Sequence, residues 1–407
     1  MKNSVKIFGD ISLNAVILPV LSIFLLQAAV IMYYNQNNLT FTGLKTFQAL
    51  ARAAEIGDAN FLSAGNKVEG DRAVNGFLYP AFLSVIYKIT GRYNLIPLIY
   101  VMSFFVFLFI AAVFYRISFE TTGREYAAAC TVMYVTAAPV GLAMFSGADT
   151  VLSCALAALN AYHIYFGMRM KTYRWAWITT ALLCLVNFTS LILGLASAAF
   201  LLLKAAEKSF RKDMPKTAII LYSALFVVFS AALIFIFADN TPAAVFSQGK
   251  LSETKTFRVD TFFSSGFLWS KALPPFLGIL LFISLFGGIG REIREGRPGF
   301  AFYSLAVCLA AFLVDFFSVF SENTDPVLLM GPFYFIIIIN AAAGLKEASV
   351  FAAAWKKPAF SPKSFFLCAA VLTIALNFIF LFSRSVERAN TIKLTAGNKY
   401  VEKFIER

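Results

Sequence analysis

The sequence predicts an all-α, polytopic integral membrane protein of about eleven transmembrane helices. Three observations carry this. Hydrophobic residues make up 59% of the 407 positions and charged residues only 14%, against about 25% charged in a soluble domain. Apolar runs of about 20 residues, the length that crosses a hydrocarbon core of about 30 Å, recur along the whole chain. The Lys and Arg residues fall in short runs between them. So few charges could not cover a water-soluble surface of this size, which excludes soluble enzymes and secreted disulfide scaffolds. The net charge of +13 orients spans and does not point to nucleic acid.

The apolar runs lie at 12–34, 95–115, 125–145, 150–168, 217–238, 270–290, 299–320, 328–345 and 365–384. A further stretch, 175–203, is nearly 30 residues long and is broken by Asn187-Phe188-Thr189-Ser190. Orientation decides how to read it. Short basic loops stay cytoplasmic: Arg169–Arg174, Lys204–Lys216, Arg291–Arg297 and Lys346–Lys363. The turns at 146–149 and 319–327 carry no Lys or Arg and face outward. Since 169–174 and 204–216 both belong inside, 175–203 must be a two-helix hairpin turning at Asn187–Ser190. The N-terminus is then cytoplasmic and the C-terminus outside.

One transmembrane domain, 1–407, thus carries three external pieces: 35–94, 239–268 and the tail 385–407. In the first, Leu44, Phe47, Leu50, Ala51 and Ala54 recur at helical spacing opposite Lys45, Gln48, Arg52 and Glu55, the pattern of a helix in the membrane interface. Polar Gly57–Asn75 follows, then an apolar segment of about 14 residues within Gly76–Gly91, half-buried or re-entrant because it is too short to cross. The five cysteines lie in apolar stretches without a CxxC pair, as buried small side chains do. The one histidine, His163, reads as an interhelical hydrogen-bonding group.

Candidate chemistry sits on the external side. Asp149, at the mouth of a predicted span with no base in its own turn, is either a helix N-cap or a carboxylate facing a cleft. Asp58, Glu69 and Asp71 offer further carboxylates in the first loop. Arg72, Lys250, Lys255 and Arg258 could meet a phosphate. Asp315 lies inside a span near its outer end, where embedded acids line cavities or pair with a base such as Lys271.

The order of parts resembles the GT-C glycosyltransferases, polytopic enzymes that take sugars from polyprenyl-phosphate donors. Gly76-Phe-Leu-Tyr-Pro-Ala-Phe-Leu-Ser-Val-Ile-Tyr-Lys-Ile-Thr-Gly91 is similar to the helix that closes their first external loop. Ala138-Pro139-Val140 followed by Ser146-Gly147-Ala148-Asp149-Thr150 is similar to their next external turn. Asp325-Pro326-Val327-Leu328-Leu329-Met330-Gly331-Pro332 echoes a later span start. The resemblance implies transfer of a sugar outside the membrane of a bacterial cell. It places Asp58, Glu69, Asp71 and Asp149 as catalytic carboxylates, Arg72, Lys255 and Arg258 on donor phosphate, and Tyr79 and Asp315 in the cavity lining. A divalent metal ion would be held by one or two of the carboxylates and water; the partners implied are a lipid-linked sugar and membrane lipids. The chain departs from the family in one respect: Asn35–Ala54 contains no Asp or Glu, where the family usually carries an acid. Two other readings stand beside this one. The chain could be a catalytically inactive scaffold subunit of a membrane complex. It could also be a transporter, which would need internal repeats or broken mid-membrane helices.

Overall fold

A computed structural model describes residues 13–34, 78–90, 95–145, 149–170, 172–210, 275–295, 298–318, 326–355 and 361–395. Among the described residues every regular element is helical. In chain order these are α1 Leu13–Tyr34, α2 Leu78–Thr90, α3 Leu95–Thr122, α4 Arg124–Thr136, α5 Ala138–Phe145, α6 Thr150–Met170 and α7 Arg174–Cys184. Then come α8 Phe188–Phe210, α9 Pro275–Arg294, α10 Pro298–Ser318, α11 Pro326–Trp355 and α12 Pro362–Thr395. Among the described residues four helices are long and apolar enough to cross a membrane on their own, five if the bent pair α4–α5 counts as one span. The interfacial helix expected at 44–54 and the span expected at 217–238 lie outside the described residues. So does the loop 239–268. The first part of the expected tail, 385–395, continues α12.

Helix α11 is the axis of the bundle. It packs on α3, α4, α5, α6, α8, α9, α10 and α12, and Met330–Ala343 is buried without a break. A helix apolar on every face belongs at such a centre. Its closest neighbour is α9. A Cβ on Gly288 would fall on the Asn340 carbonyl, and one on Gly344 on the Ser284 carbonyl. Small residues let two backbones approach this closely.

The hairpin expected within 175–203 is present. Helix α7 ends at Cys184, and Asn187 caps α8, its Oδ1 accepting from the Ser190 amide at 2.8 Å, the side-chain bond that opens a helix. Gly194 lets α8 return against α7, since a Cβ there would run into the Cys184 sulfur. Asn160 of α6 holds the hairpin from the side. Its Nδ2 donates to Thr180 Oγ1 at 2.7 Å, and its Oδ1 accepts from Ser197 Oγ at 2.9 Å and from Tyr303 Oη at 3.1 Å. This side chain supplies the interhelical bonds expected of His163, whose Nδ1 has no hydrogen-bond partner and which packs near Trp175.

The run 125–145, expected as one straight span, is bent by 59° between α4 and α5. Pro139 accounts for the bend: it has no N–H for the Val135 carbonyl four residues back, and its ring would strike that carbonyl in a continuous helix. Ala137 turns out of the helix at φ −59°, ψ 128°. Among the cysteines, Cys130, Cys154 and Cys184 are buried, Cys308 is half-buried and Cys368 is exposed, and none is disulfide-bonded.

Candidate functional site

Charge separates the two ends of the bundle. At one end the described parts of all four basic stretches gather. Arg169 pairs with Glu120 at 2.7 Å, and Arg291 and Arg294 reach Glu347 at 3.3 and 3.1 Å. Lys363 reaches Glu125 at 3.3 Å, and Lys346 lies over the Tyr126 ring. Gly299 opens α10 against Lys204 and Met168. These contacts join α3, α4, α6, α8, α9, α10, α11 and α12 at one level. Asp149 stands at the opposite end of α6, a helix of 21 residues and therefore about 30 Å long.

At the Asp149 end, the short helix α2 is held by two contacts. The Leu78 amide donates to the Leu185 carbonyl, in the α7–α8 turn, at 3.1 Å. Tyr79, Leu83 and Ile99 form a small apolar cluster that also packs on Leu152 of α6. With 13 residues, α2 is about 20 Å long and does not cross. Its Tyr79 is 4% exposed. Burial, then the charge of Asp149, then Tyr100 push the Tyr79 phenol well above its ordinary range. Tyr79 therefore lies within reach of the Asp149 charge, although 70 residues separate them in sequence.

Asp149 occupies the N-cap position of α6. Its carbonyl accepts from the Ser153 amide at 3.0 Å and from Ser153 Oγ at 3.1 Å. The residue is only 6% exposed, and its carboxylate sits at the positive end of a helix dipole. One turn further in, Ser153 Oγ accepts from Asn187 Nδ2 at 3.0 Å and from Ser190 Oγ at 2.7 Å. The backbone of Asp149 thus starts α6, and its charge acts on the buried Tyr79 phenol of another element.

Gly331 brings in the third stretch. A Cβ there would be 3.1 Å from Cys154 Sγ and 3.3 Å from the Pro139 carbonyl, so the start of α11 packs directly on α5 and α6. The described parts of the three stretches, 78–90, 138–145 with 149–150, and 326–332, therefore lie toward the same end. Asp315 falls near the last residue of α10, Ser318, also toward this end. Asp58, Glu69, Asp71, Arg72, Lys250, Lys255 and Arg258 lie outside the described residues. Among the described residues no three His, Cys, Asp or Glu side chains gather to hold a metal ion. Asp149 offers one carboxylate at this end.

No protein-family model matches the chain, and no curated protein matches it. In structure the chain is similar to ArnT from Cupriavidus metallidurans bound to undecaprenyl phosphate, at 13% identity and a TM-score of 0.48, covering 95% of this chain and 73% of that one. It is similar also to ArnT from the same organism in the apo state, at 13% identity and a TM-score of 0.47, covering 90% and 75% respectively.

Proposed function

We propose that the protein is a membrane glycosyltransferase that moves a sugar from a polyprenyl-phosphate donor to an acceptor on the non-cytoplasmic side. The observation that carries this reading is that Tyr79 feels the charge of Asp149 at the start of α6, at the end of the bundle where Gly331 packs α11 on α5 and α6. These residues come from the three stretches that resemble the GT-C enzymes, and they lie at the end opposite the basic cluster. With the basic end cytoplasmic, Asp149 faces outward, in the cytoplasmic membrane of a bacterium. A buried Asp149 whose charge acts on a buried phenol, at one end of a membrane bundle, suits a lipid-borne substrate.

In this reading an acceptor hydroxyl or amine attacks the anomeric carbon. The bond from that carbon to the phosphate oxygen breaks, and polyprenyl phosphate leaves with the electron pair. The acceptor's proton passes to a carboxylate, Asp149 or one of Asp58, Glu69 and Asp71. Arg72, Lys255 and Arg258 would hold the departing phosphate, and a divalent ion on these carboxylates would neutralise its charge. Tyr79 and Asp315 would line the cavity.

Purified protein and its Asp149→Asn variant, assayed with a panel of polyprenyl-phosphate sugars, test the reading. Asn caps nearly as well as Asp, so the variant should fold normally and lose on the order of 10²-fold in turnover. Unchanged transfer would remove Asp149 from the chemistry. Absence of transfer by the unaltered protein across the panel would favour the scaffold reading, to which the acid-free Asn35–Ala54 already points.

A further inference from the structure

We infer that Gln27, on α1, is a positioning residue for the Asp149 site. It supplies the hydrogen bond that Pro139 cannot, and so holds the bend that directs α5 toward the start of α6 at Asp149. The inference takes the location of the site from the proposed function.

Among the carbonyls that lose their usual donors at the bend between α4 and α5, two are met by side chains of other helices. The Val135 carbonyl would accept the amide of residue 139, which is proline and has none. The Met133 carbonyl would accept the Ala137 amide, which instead donates to Tyr134 at 3.1 Å. Away from water an unpaired carbonyl is costly, and here each one is met from a different helix. Gln27 Nε2 donates to Val135 at 3.0 Å. Asn377 Nδ2, on α12, reaches Met133 at 3.5 Å, where Thr136 Oγ1 also donates at 3.1 Å.

Gln27 is completely buried, and its Oε1 has no hydrogen-bond partner. A glutamine placed only to fill space would be better replaced by leucine or methionine, which leave no orphan acceptor. What distinguishes Gln27 is the donor aimed at the proline gap. Space for it is reserved on the other side of the bend: a Cβ on Gly141 would lie 3.1 Å from Nε2 and 3.3 Å from Cδ. The three positions form one device, in which Pro139 removes a bond, Gly141 leaves room and Gln27 fills the gap. Helix α5 then runs to Phe145, four residues before Asp149, so its angle sets where the site's carboxylate begins its helix.

The test is a double-mutant cycle on the full-length protein in detergent, with two readouts that need no substrate. Gln27→Leu should lower the unfolding temperature by about 1–3 °C, the shift expected in a chain of this length when a buried carbonyl loses its donor. In the Pro139→Ala background residue 139 has its own N–H for Val135, and the penalty should largely vanish. Thiols placed at positions 79 and 149 should be bridged by a short bis-maleimide in the parent. Bridging should fail in the Gln27→Leu, Pro139→Ala protein, where a continuous helix replaces the bend although stability is restored. An equal Gln27→Leu penalty in both backgrounds, or undiminished bridging in the double variant, overturns the inference.

If Pro139→Ala does not fold, Gly141→Ala serves instead. Its methyl should push the amide off Val135 and lower the unfolding temperature beside Gln27, yet be harmless beside Gln27→Ala. A penalty unaffected by the residue at 27 would again overturn the idea. Absence of sugar transfer by the unaltered protein, with the cycle behaving as expected, would count against the proposed function alone.

Discussion

Replacing Asn160 with leucine should cost about 2 kcal/mol of stability. Asn160 is completely buried in the middle of α6. Its amide reaches three neighbouring helices: α7 through Thr180 at 2.7 Å and Thr179 at 3.2 Å, α8 through Ser197, and α10 through Tyr303. Interhelical side-chain hydrogen bonds in membranes average about 0.6 kcal/mol, and three helix partners bring the loss near 2 kcal/mol. Two of those partners keep other acceptors, because Thr179 also bonds the Trp175 carbonyl at 2.9 Å and Ser197 the Leu193 carbonyl at 3.0 Å. Asn160→Leu keeps the number and branching of side-chain heavy atoms while removing the polar groups, whereas Asn160→Ala adds a cavity and should cost more. Reversible unfolding in mixed micelles, followed by tryptophan fluorescence against the mole fraction of dodecyl sulfate, measures both. A loss under about 0.5 kcal/mol for Asn160→Leu would mean that packing alone holds the hairpin, and the reasoning from hydrogen bonds would be wrong.

Two further outcomes follow from the geometry. Gly288→Ala should destabilise the α9–α11 crossing by about 1–3 kcal/mol or more, because the new methyl meets backbone, while Gly290→Ala, with nothing within 4 Å of the new atom, should be neutral. Thermal-shift size exclusion would separate them, and equal behaviour would refute the close approach. A thiol placed at Ser252 or Ala396 should be labelled by an impermeant reagent from outside intact cells, and one at Asp213 should not. Labelling at Asp213 would reverse the assignment of the basic end to the cytoplasm.

The sequence carried the all-helical, apolar character of the chain and the gathering of the basic stretches at one end, because those depend on local composition. Runs such as Lys204–Lys216 announce a loop without reference to the rest of the chain. The hairpin at Asn187 was legible for a similar reason: a polar break in a long apolar run marks a turn, and the basic loops on either side required one. Pro139 was visible too, but it served as a landmark of resemblance while its local consequence, a broken helix, went unread. Gln27 and Asn377 could not be found this way. They lie 108 and 244 residues from the carbonyls they serve, and no spacing rule links them. Asn160 drew no attention because one uncharged amide in an apolar run gives no sign of its partners. His163 drew it instead, as the one histidine, and proved to pack against a ring. The convergence of Tyr79 with Asp149 was implied only through resemblance, since nothing in either segment alone points to the other.

The central place of α11 bears on how the bundle is assembled. A helix enters the bilayer before it meets its neighbours, so α11 must first be a stable solitary guest among lipid tails. Only later is it enclosed by protein. Its unbroken Ile336–Ile339 run answers to that first stage, because the finished interior would equally accept polar groups with partners, as α6 accepts Asn160. Membrane entry thus acts as a filter applied ahead of packing. Changes that make α11 more polar should lower yield at insertion, even where the assembled protein has a hydrogen-bond partner waiting for them.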